Sequence, residues 1–297
     1  MALFNKKKTL VHHITYMGIM TAINLIFIVL ATYIPFLMFL LILLLPFAST
    51  IVSYYCQKRY YIIYAIASIG LCLIFNISDT IFYVVPAVIT GFVAGILLDK
   101  KVHPFWLILS TSVIETALTF AFIPLINLIC NVDIVFSFLS AFKLNNFQYK
   151  TEITYLFIYF ISLLQCVLTQ FILLTDGKKI GIIIDTCVAS FMPFILGLES
   201  AITISFIFSF FYAPLALVFA SISIYFAVFL LIDLLLSKKA VIYIILCSSL
   251  VVAFFVFVII YQRIAAPTNM VLIVLFPLAV CITSFIKNHL LKYESNI

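Results

Sequence analysis

The chain has 297 residues, of which 67% are hydrophobic and only 9% are charged. Apolar runs of membrane-spanning length recur from Ile14 to Ile286, a pattern that no soluble domain of this size needs. The runs are too long and too uniformly apolar for outer-membrane strands, so the composition predicts an all-α, polytopic membrane helix bundle. The formal net charge of +6 comes from short basic clusters between apolar runs, which indicates membrane orientation rather than nucleic-acid binding.

Ten membrane-spanning helices are predicted, in two groups. The first group has six spans, near residues 14–34, 36–55, 60–75, 81–98, 104–129 and 153–174. The second has four, near 180–198, 206–236, 240–261 and 270–287, with Gly197, Glu199 and Ser200 as the polar break between its first two members. The pattern therefore predicts a six-helix region over 1–179 and a four-helix extension over 180–297. A break near 212–214 would instead cut 180–236 into three spans.

The basic residues predict how these spans are oriented. With ten spans, thirteen of the Lys and Arg side chains fall at one set of helix ends, and three (Lys143, Lys150 and Arg263) fall at the other. Basic connections stay in the cytoplasm, so both termini are expected there. Three spans over 180–236 would weaken the asymmetry to ten against six. The first apolar run lacks a small-residue cleavage site, and we expect it to be retained as a span.

Motifs that would indicate catalysis are missing. The sequence has no phosphate-binding G-x-x-x-x-G-K-[ST], no zinc-protease H-E-x-x-H and no hydrolase G-x-S-x-G. Its seven cysteines show no C-x-x-C spacing and mostly fall inside apolar spans, which is typical of small buried side chains. We therefore predict that the chain is not an enzyme and binds neither a metal nor a cofactor.

Glu115 is the most informative single residue, because it falls in the middle of the fifth span. An ionisable side chain at that depth is costly unless it has a partner or a cavity. Gln165 is similarly central in the sixth span. Two interpretations stay open: the two side chains line a polar pocket for a ligand, or they form a clasp between helices that binds nothing.

A second polar set falls toward the external end of the first group. Asn76 and Asp79 precede the fourth span, and Asn127 lies near the end of the fifth. These side chains are candidates to surround a small solute, but Ser78 or Asp79 is also suited to cap the fourth helix. In the second group, charged residues near span ends are expected to have structural roles: Asp185, Glu199 and Asp233 either reach water or pair with Lys178, Lys179 or Lys238.

Small residues at a spacing of four indicate close helix packing. Gly91 and Gly95 form a G-x-x-x-G pattern on the fourth span, and Gly18 and Ala22 form a small-residue pair on the first. The spacing does not tell whether the partner helix belongs to this chain or to another protein, and a partner within the chain is the default.

Residues 9–101 resemble the first four helices of the substrate-binding (S) components of energy-coupling-factor (ECF) transporters. The resemblance is carried by T-L-V-H-H-I-T-Y-M-G-I-M-T-A-I-N at the start of this region and by P-A-V-I-T-G-F-V-A-G-I-L-L-D-K-K at its end. The resemblance extends more loosely to Lys179. It is strongest to the YybS-like bacterial branch, in which a six-helix region is followed by additional helices.

The resemblance implies a subunit of the bacterial plasma membrane that captures a small micronutrient from outside. Separate ATPases would supply the energy through a membrane coupling subunit, which Gly18 and Ala22 would contact. The chain departs from ordinary S components in two respects: the connection between the first two spans shrinks to about Pro35, and four helices are added. The alternative function is a non-catalytic scaffold of the cell envelope.

Overall fold

A computed structural model shows the chain as a series of helices. It describes residues 9–131, 133, 135, 136, 140, 150–177, 182, 192–236, 240–261 and 273–294, except the side chains of 35–43, 130, 150–153, 192, 213, 258–261 and 290–294. Over these residues the structure has no β-strand, which confirms that the fold is all-helical.

The described residues form ten long helices, and six of them lie before residue 177: α1 (Leu10–Tyr33), α2 (Pro35–Tyr55), α3 (Tyr61–Phe75), α4 (Ile77–Asp99), α5 (Pro104–Cys130) and α6 (Lys150–Asp176). Proline begins both α2 and α5, at a position where its missing N–H costs nothing. Thr9 caps α1 through a hydrogen bond from the backbone N of His12. Within α4, residues Thr80–Val84 form a π-helical turn.

Four helices follow: α7 (Met192–Phe208), α8 (Ala213–Leu236), α9 (Ala240–Tyr261) and α10 (Leu275–Glu294). The polar break predicted at Gly197, Glu199 and Ser200 is wrong, because all three residues lie inside α7. The helix ends instead before Pro214, where the sequence left an alternative break. The Ser200 hydroxyl donates to the Gly197 carbonyl at 2.9 Å, so this polar side chain is satisfied within its own helix.

Gly197 has a packing role in α7 rather than a breaking role. A Cβ at this position would lie 2.9 Å from the ring of Phe226, which projects from α8. The absence of a side chain therefore allows α7 and α8 to approach each other. This contact explains why a glycine occurs within the helix without ending it.

Seven segments are long and apolar enough to cross a membrane: Leu10–Tyr33, Lys58–Phe75, Ile77–Asp99, Pro104–Ile129, Thr154–Asp176, Pro214–Leu236 and Ala240–Phe257. Leu44–Tyr55 and Pro193–Phe208 are shorter apolar segments. Over its described residues, α10 belongs to neither group. These lengths and compositions are those of a multi-pass membrane protein.

The chain divides into two compact units, Met1–Thr186 and Cys187–Ile297. The first unit contains α1 to α6, and the second contains α7 to α10. The sequence predicted a division after residue 179, a short distance before this boundary.

In the first unit, α2 and α4 approach each other along Gly91 and Gly95. A Cβ at Gly91 would collide with Ser49 and lie 2.9 Å from the backbone N of Thr50. A Cβ at Gly95 would collide with Ser53 and lie 2.8 Å from the carbonyl oxygen of Thr50. The helix that packs against the G-x-x-x-G pattern is therefore α2 of the same chain.

Polar side chains join α1, α2, α3 and α4 around this contact. The Asn24 amide donates to the Tyr64 hydroxyl at 2.7 Å, and the hydroxyls of Tyr64 and Ser49 lie 3.0 Å apart. The Tyr61 hydroxyl donates to the Val88 carbonyl at 2.7 Å. The four polar side chains in these bonds are deeply buried, and Val88 takes part through its backbone carbonyl. The bonds therefore fix the neighbouring helices in one register.

The second unit contains a buried ion pair between α8 and α10. The Lys287 ammonium binds the Asp233 carboxylate and also donates to the Asp233 carbonyl at 3.2 Å. The Lys287 side chain is 9% exposed and that of Asp233 is 21% exposed. Asp233 was expected to reach water or to pair with Lys178, Lys179 or Lys238, which lie outside the described residues, as does Asp185. The sequence did not identify Lys287 as the partner because it is distant in the chain.

Replacing Gly91 with Ala is expected to destabilise the first unit by about 1–3 kcal/mol, since the added methyl group meets the α2 backbone. Gly70 in α3 has nothing within 4 Å of its would-be Cβ, so Gly70→Ala is the matched control. Thermal unfolding in detergent checks both variants. Equal midpoints for the two variants would show that α2 and α4 are not in close contact.

Replacing Lys287 with Met removes the cation but leaves the Asp233 carboxylate half-buried. We expect a loss of about 3 kcal/mol or less, because Asp233 retains partial access to solvent. The double variant Lys287→Met/Asp233→Leu should recover part of this loss. A double-mutant cycle of thermal unfolding measures the coupling between the two residues, and additive effects would contradict the ion pair.

Candidate polar site around Glu115

Glu115 lies near the middle of α5 and is 1% exposed. The Cys166 thiol of α6 donates to the Glu115 Oε2 at 3.2 Å. Among the described residues, this is the one side-chain hydrogen bond that the carboxyl group receives. A carboxyl group in this environment is costly to bury, and the thiol compensates only part of its hydrogen-bonding capacity.

The remaining hydroxyls of α5 near Glu115 are satisfied within the helix. Thr116 donates to the Ser112 carbonyl at 2.7 Å, and Thr119 donates to the Glu115 carbonyl at 2.9 Å. Such bonds let a helix carry threonine through an apolar environment. Each hydroxyl has then used its one proton. It can accept a hydrogen bond from a further partner but cannot donate one.

Gln165 is 3% exposed and lies next to Cys166 on α6. The sequence put Gln165 at a depth similar to that of Glu115 as its candidate partner, whereas the described hydrogen bond to Glu115 comes from the neighbouring Cys166. Adjacent helical residues point about 100° apart, so only one of the two can face a given residue on α5. Sequence reasoning missed Cys166 because it treated buried cysteines as small apolar groups.

A small cavity of about 10 Å³ lies beside Cys166, lined by residues of α2, α4, α5 and α6. Its lining includes Thr111, one turn before Glu115 on α5. The full lining consists of Pro46, Thr50, Thr90, Ala94, Leu107, Thr111, Cys166, Thr169, Gln170 and Leu173. The Glu115–Cys166 pair therefore adjoins a small cavity within the first unit through Cys166.

Asn76 and Asp79 form a helix cap at the start of α4. The Asn76 Oδ1 accepts the backbone N–H of Asp79 at 3.0 Å, and the Asn76 Nδ2 donates to the Asp79 Oδ2 at 2.7 Å. The capping residue is therefore Asn76, and the expectation that Ser78 or Asp79 would cap this helix is wrong. Because the two side chains bind each other, their local role is to begin the helix.

Asn127 is half-buried on α5, twelve residues after Glu115. At 1.5 Å per residue the two positions are about 18 Å apart along the helix. The part of α4 that follows the Asn76 cap contacts α5. The five predicted binding residues thus fall at two depths, Glu115 and Gln165 at one and Asn76, Asp79 and Asn127 toward the end of the bundle.

The two pairs of small residues differ in their surroundings. Gly91 and Gly95 are buried against α2. Gly18 and Ala22 lie on an exposed face of α1, and nothing described approaches within 4 Å of a Cβ placed at Gly18. Of the two pairs, only the one on α1 leaves a surface open to another helix.

The described side chains include no group of three His, Cys, Asp or Glu residues able to hold a metal ion. Comparison with known proteins found no matching family model, no similar curated protein and no similar solved structure.

Removing the thiol with Cys166→Ala should leave the Glu115 carboxyl without its described partner. We expect about 1–3 kcal/mol more destabilisation than from Cys72→Ala. Cys72 is a suitable control because it is equally buried and its thiol has no hydrogen bond to a described residue. Chemical or thermal unfolding of both variants gives the comparison. Cys166→Ser, which keeps a donor, should restore most of the difference, and a serine no better than alanine would argue against the bond.

Proposed function

We propose that the chain is a membrane solute-binding subunit of the S-component type. It lies in a bacterial plasma membrane with both termini in the cytoplasm and captures a small micronutrient from outside. Transport energy comes from separate ATPases through a membrane coupling subunit. The observation that carries the proposal is the carboxyl group of Glu115, which is fully buried on α5 and receives one described side-chain hydrogen bond, from Cys166.

The ends of the first unit support this orientation. The basic residues Lys58 and Arg59 lie in the connection from α2 to α3, and the His13 ring near the start of α1 is 5.2 Å from Tyr60 in that connection. Asn76 lies where α3 ends, and Asn127 lies near the end of α5. If each of these helices crosses the membrane once, both ends are on the side opposite to Lys58 and Arg59. A basic cytoplasmic end and a polar external end fit a subunit that receives its solute from outside.

The open face of α1 supports contact with a coupling subunit. Gly18 and Ala22 are exposed and one turn apart, so another helix can approach the α1 backbone there. The neighbouring exposed side chains on this face, Ile14, Ile19 and Ile26, are apolar and provide the sides of the contact. The resemblance of this segment to S components gives the same residues that role.

A non-catalytic membrane scaffold is the second candidate, and one feature of the second unit favours it. Glu199 lies in the middle of α7 and is exposed, contrary to its expected place near a span end. Ser200 and Thr203 are exposed on the same helix. The Cys281 thiol of α10 donates to the Glu199 Oε1 over a long distance of 3.8 Å. A carboxyl group on the surface of an apolar helix needs more polar contact than this, which fits binding to another protein.

Mass spectrometry of the tagged chain, purified from its native membrane in mild detergent, tests the two functions. We expect a coupling subunit with ATPases and a stoichiometric small molecule. Glu115→Gln, which keeps the shape of the side chain, should lose the small molecule but keep the protein partners. Gly18→Leu should lose the partners but keep the small molecule. Gly70→Leu is the control, since Gly70 is also exposed on a helix of this unit.

Recovery of envelope proteins alone, with no small molecule, would move the assignment to the scaffold. In that case Glu199→Leu should release those proteins, whereas Glu115→Gln should have no effect on them. Loss of both ligand and partners in Glu115→Gln, together with a lowered unfolding midpoint, would show a structural clasp rather than a binding site.

A further inference from the structure

Three side chains at the cavity have polar atoms without partners among the described residues. These atoms are the Thr90 hydroxyl on α4, the Thr169 hydroxyl on α6, and both the Oε1 and the Nε2 of Gln170. Thr90 is 1% exposed, Thr169 is 4% exposed, and Gln170 is fully buried. All three residues line the same cavity.

The other helical threonines near the cavity differ from Thr90 and Thr169. Thr50 donates to the Pro46 carbonyl at 2.8 Å, and Thr111 donates to the Leu107 carbonyl at 2.7 Å. This bond to the preceding turn is the ordinary way for a threonine to be satisfied in a membrane helix. Thr90 and Thr169 do not make it, so their hydroxyls are available to a group inside the cavity.

Burying four such atoms without partners would cost several kcal/mol, which a bundle of marginal stability does not tolerate. The cavity has about 10 Å³ of space. This is roughly what one water molecule requires, given that such a molecule also needs two to four polar partners. The site offers four polar atoms. The Gln170 Nε2 can only donate, the Gln170 Oε1 can only accept, and the two hydroxyls can do either.

We propose that this cavity is a binding site for a single ordered water molecule, held by Thr90, Thr169 and Gln170. A dehydrated monovalent cation fits the space but not the chemistry, because it would bind the oxygens and leave the Gln170 Nε2 without an acceptor. Water accepts from that amide and donates to the Oε1 or to a hydroxyl. The bound water bridges α4 and α6 at the edge of the Glu115–Cys166 pair. Such a water would be bound whether or not the chain binds a solute.

Solid-state NMR of the full chain in lipid bilayers, labelled with ¹⁵N in the glutamine side chains, measures this water directly. Transfer of proton polarisation from water to the Gln170 amide should be several-fold faster than to the Gln165 amide. Gln165 is the matched control, since it is similarly buried on the same helix but does not line the cavity. The Gln170 signal is identified by its loss in Gln170→Leu.

The variant Thr90→Val/Thr169→Val keeps the shape of both side chains and removes both hydroxyls. It should slow the transfer to Gln170 to the Gln165 rate and lower the thermal midpoint. Thr111→Val, whose hydroxyl is used within its own helix, should leave the Gln170 transfer unchanged. If the double variant does not fold, the wild-type comparison of Gln170 with Gln165 still decides the question.

Equal transfer to Gln170 and Gln165 in the wild type would overturn the proposal. A second overturning result is specific for a cation: replacing sodium chloride with choline chloride lowers the midpoint of the wild type but not that of the double valine variant. An unchanged midpoint in choline chloride, together with fast transfer to Gln170, is the result expected for water.

Discussion

The contact between α2 and α4 at Gly91 and Gly95 determines where the polar groups of the first unit lie. Because neither glycine has a side chain, the backbone of α4 reaches that of α2 beside Ser49, whose hydroxyl also lies 3.0 Å from that of Tyr64 on α3. Thr90, next to Gly91, is turned toward the cavity. A larger residue at Gly91 would separate the helices and open the polar layer to lipid, where hydrogen bonds have no replacement.

The interior of this unit shows two ways of burying a polar group. Most hydroxyls bind a carbonyl of their own helix and need nothing from a neighbour, as Thr116 does. Asn24 and Glu115 instead depend on another helix, through Tyr64 and Cys166 respectively. Groups of the second kind specify which helices are neighbours, since each loses its partner when a helix rotates. They are also where ligands compete most effectively with the protein's own contacts.

The sequence predicted ten membrane-spanning helices, because long apolar runs have one stable form when water is absent. The described residues contain ten long helices, and seven segments among them are long and apolar enough to cross a membrane. It misplaced the break in the second unit, since the polarity of Ser200 is cancelled by a bond to its own helix and Gly197 serves packing. Glu115 was recognised from the cost of burying it. Its partner was not, because the choice between Gln165 and Cys166 depends on the rotation of α6 about its axis, and tertiary packing sets that rotation.

The two depths of polar groups constrain the solute of a subunit that works as proposed. Asn127 and Glu115 are about 18 Å apart along α5. Between them, the Thr119 and Thr116 hydroxyls donate their protons within the helix, so each can only accept a hydrogen bond from a solute. A carboxyl group accepts through its oxygens and, when protonated, also donates, so Glu115 can bind either kind of partner. For a subunit that works as proposed, these groups of α5 therefore suit a solute that carries hydrogen-bond donors, such as an amine.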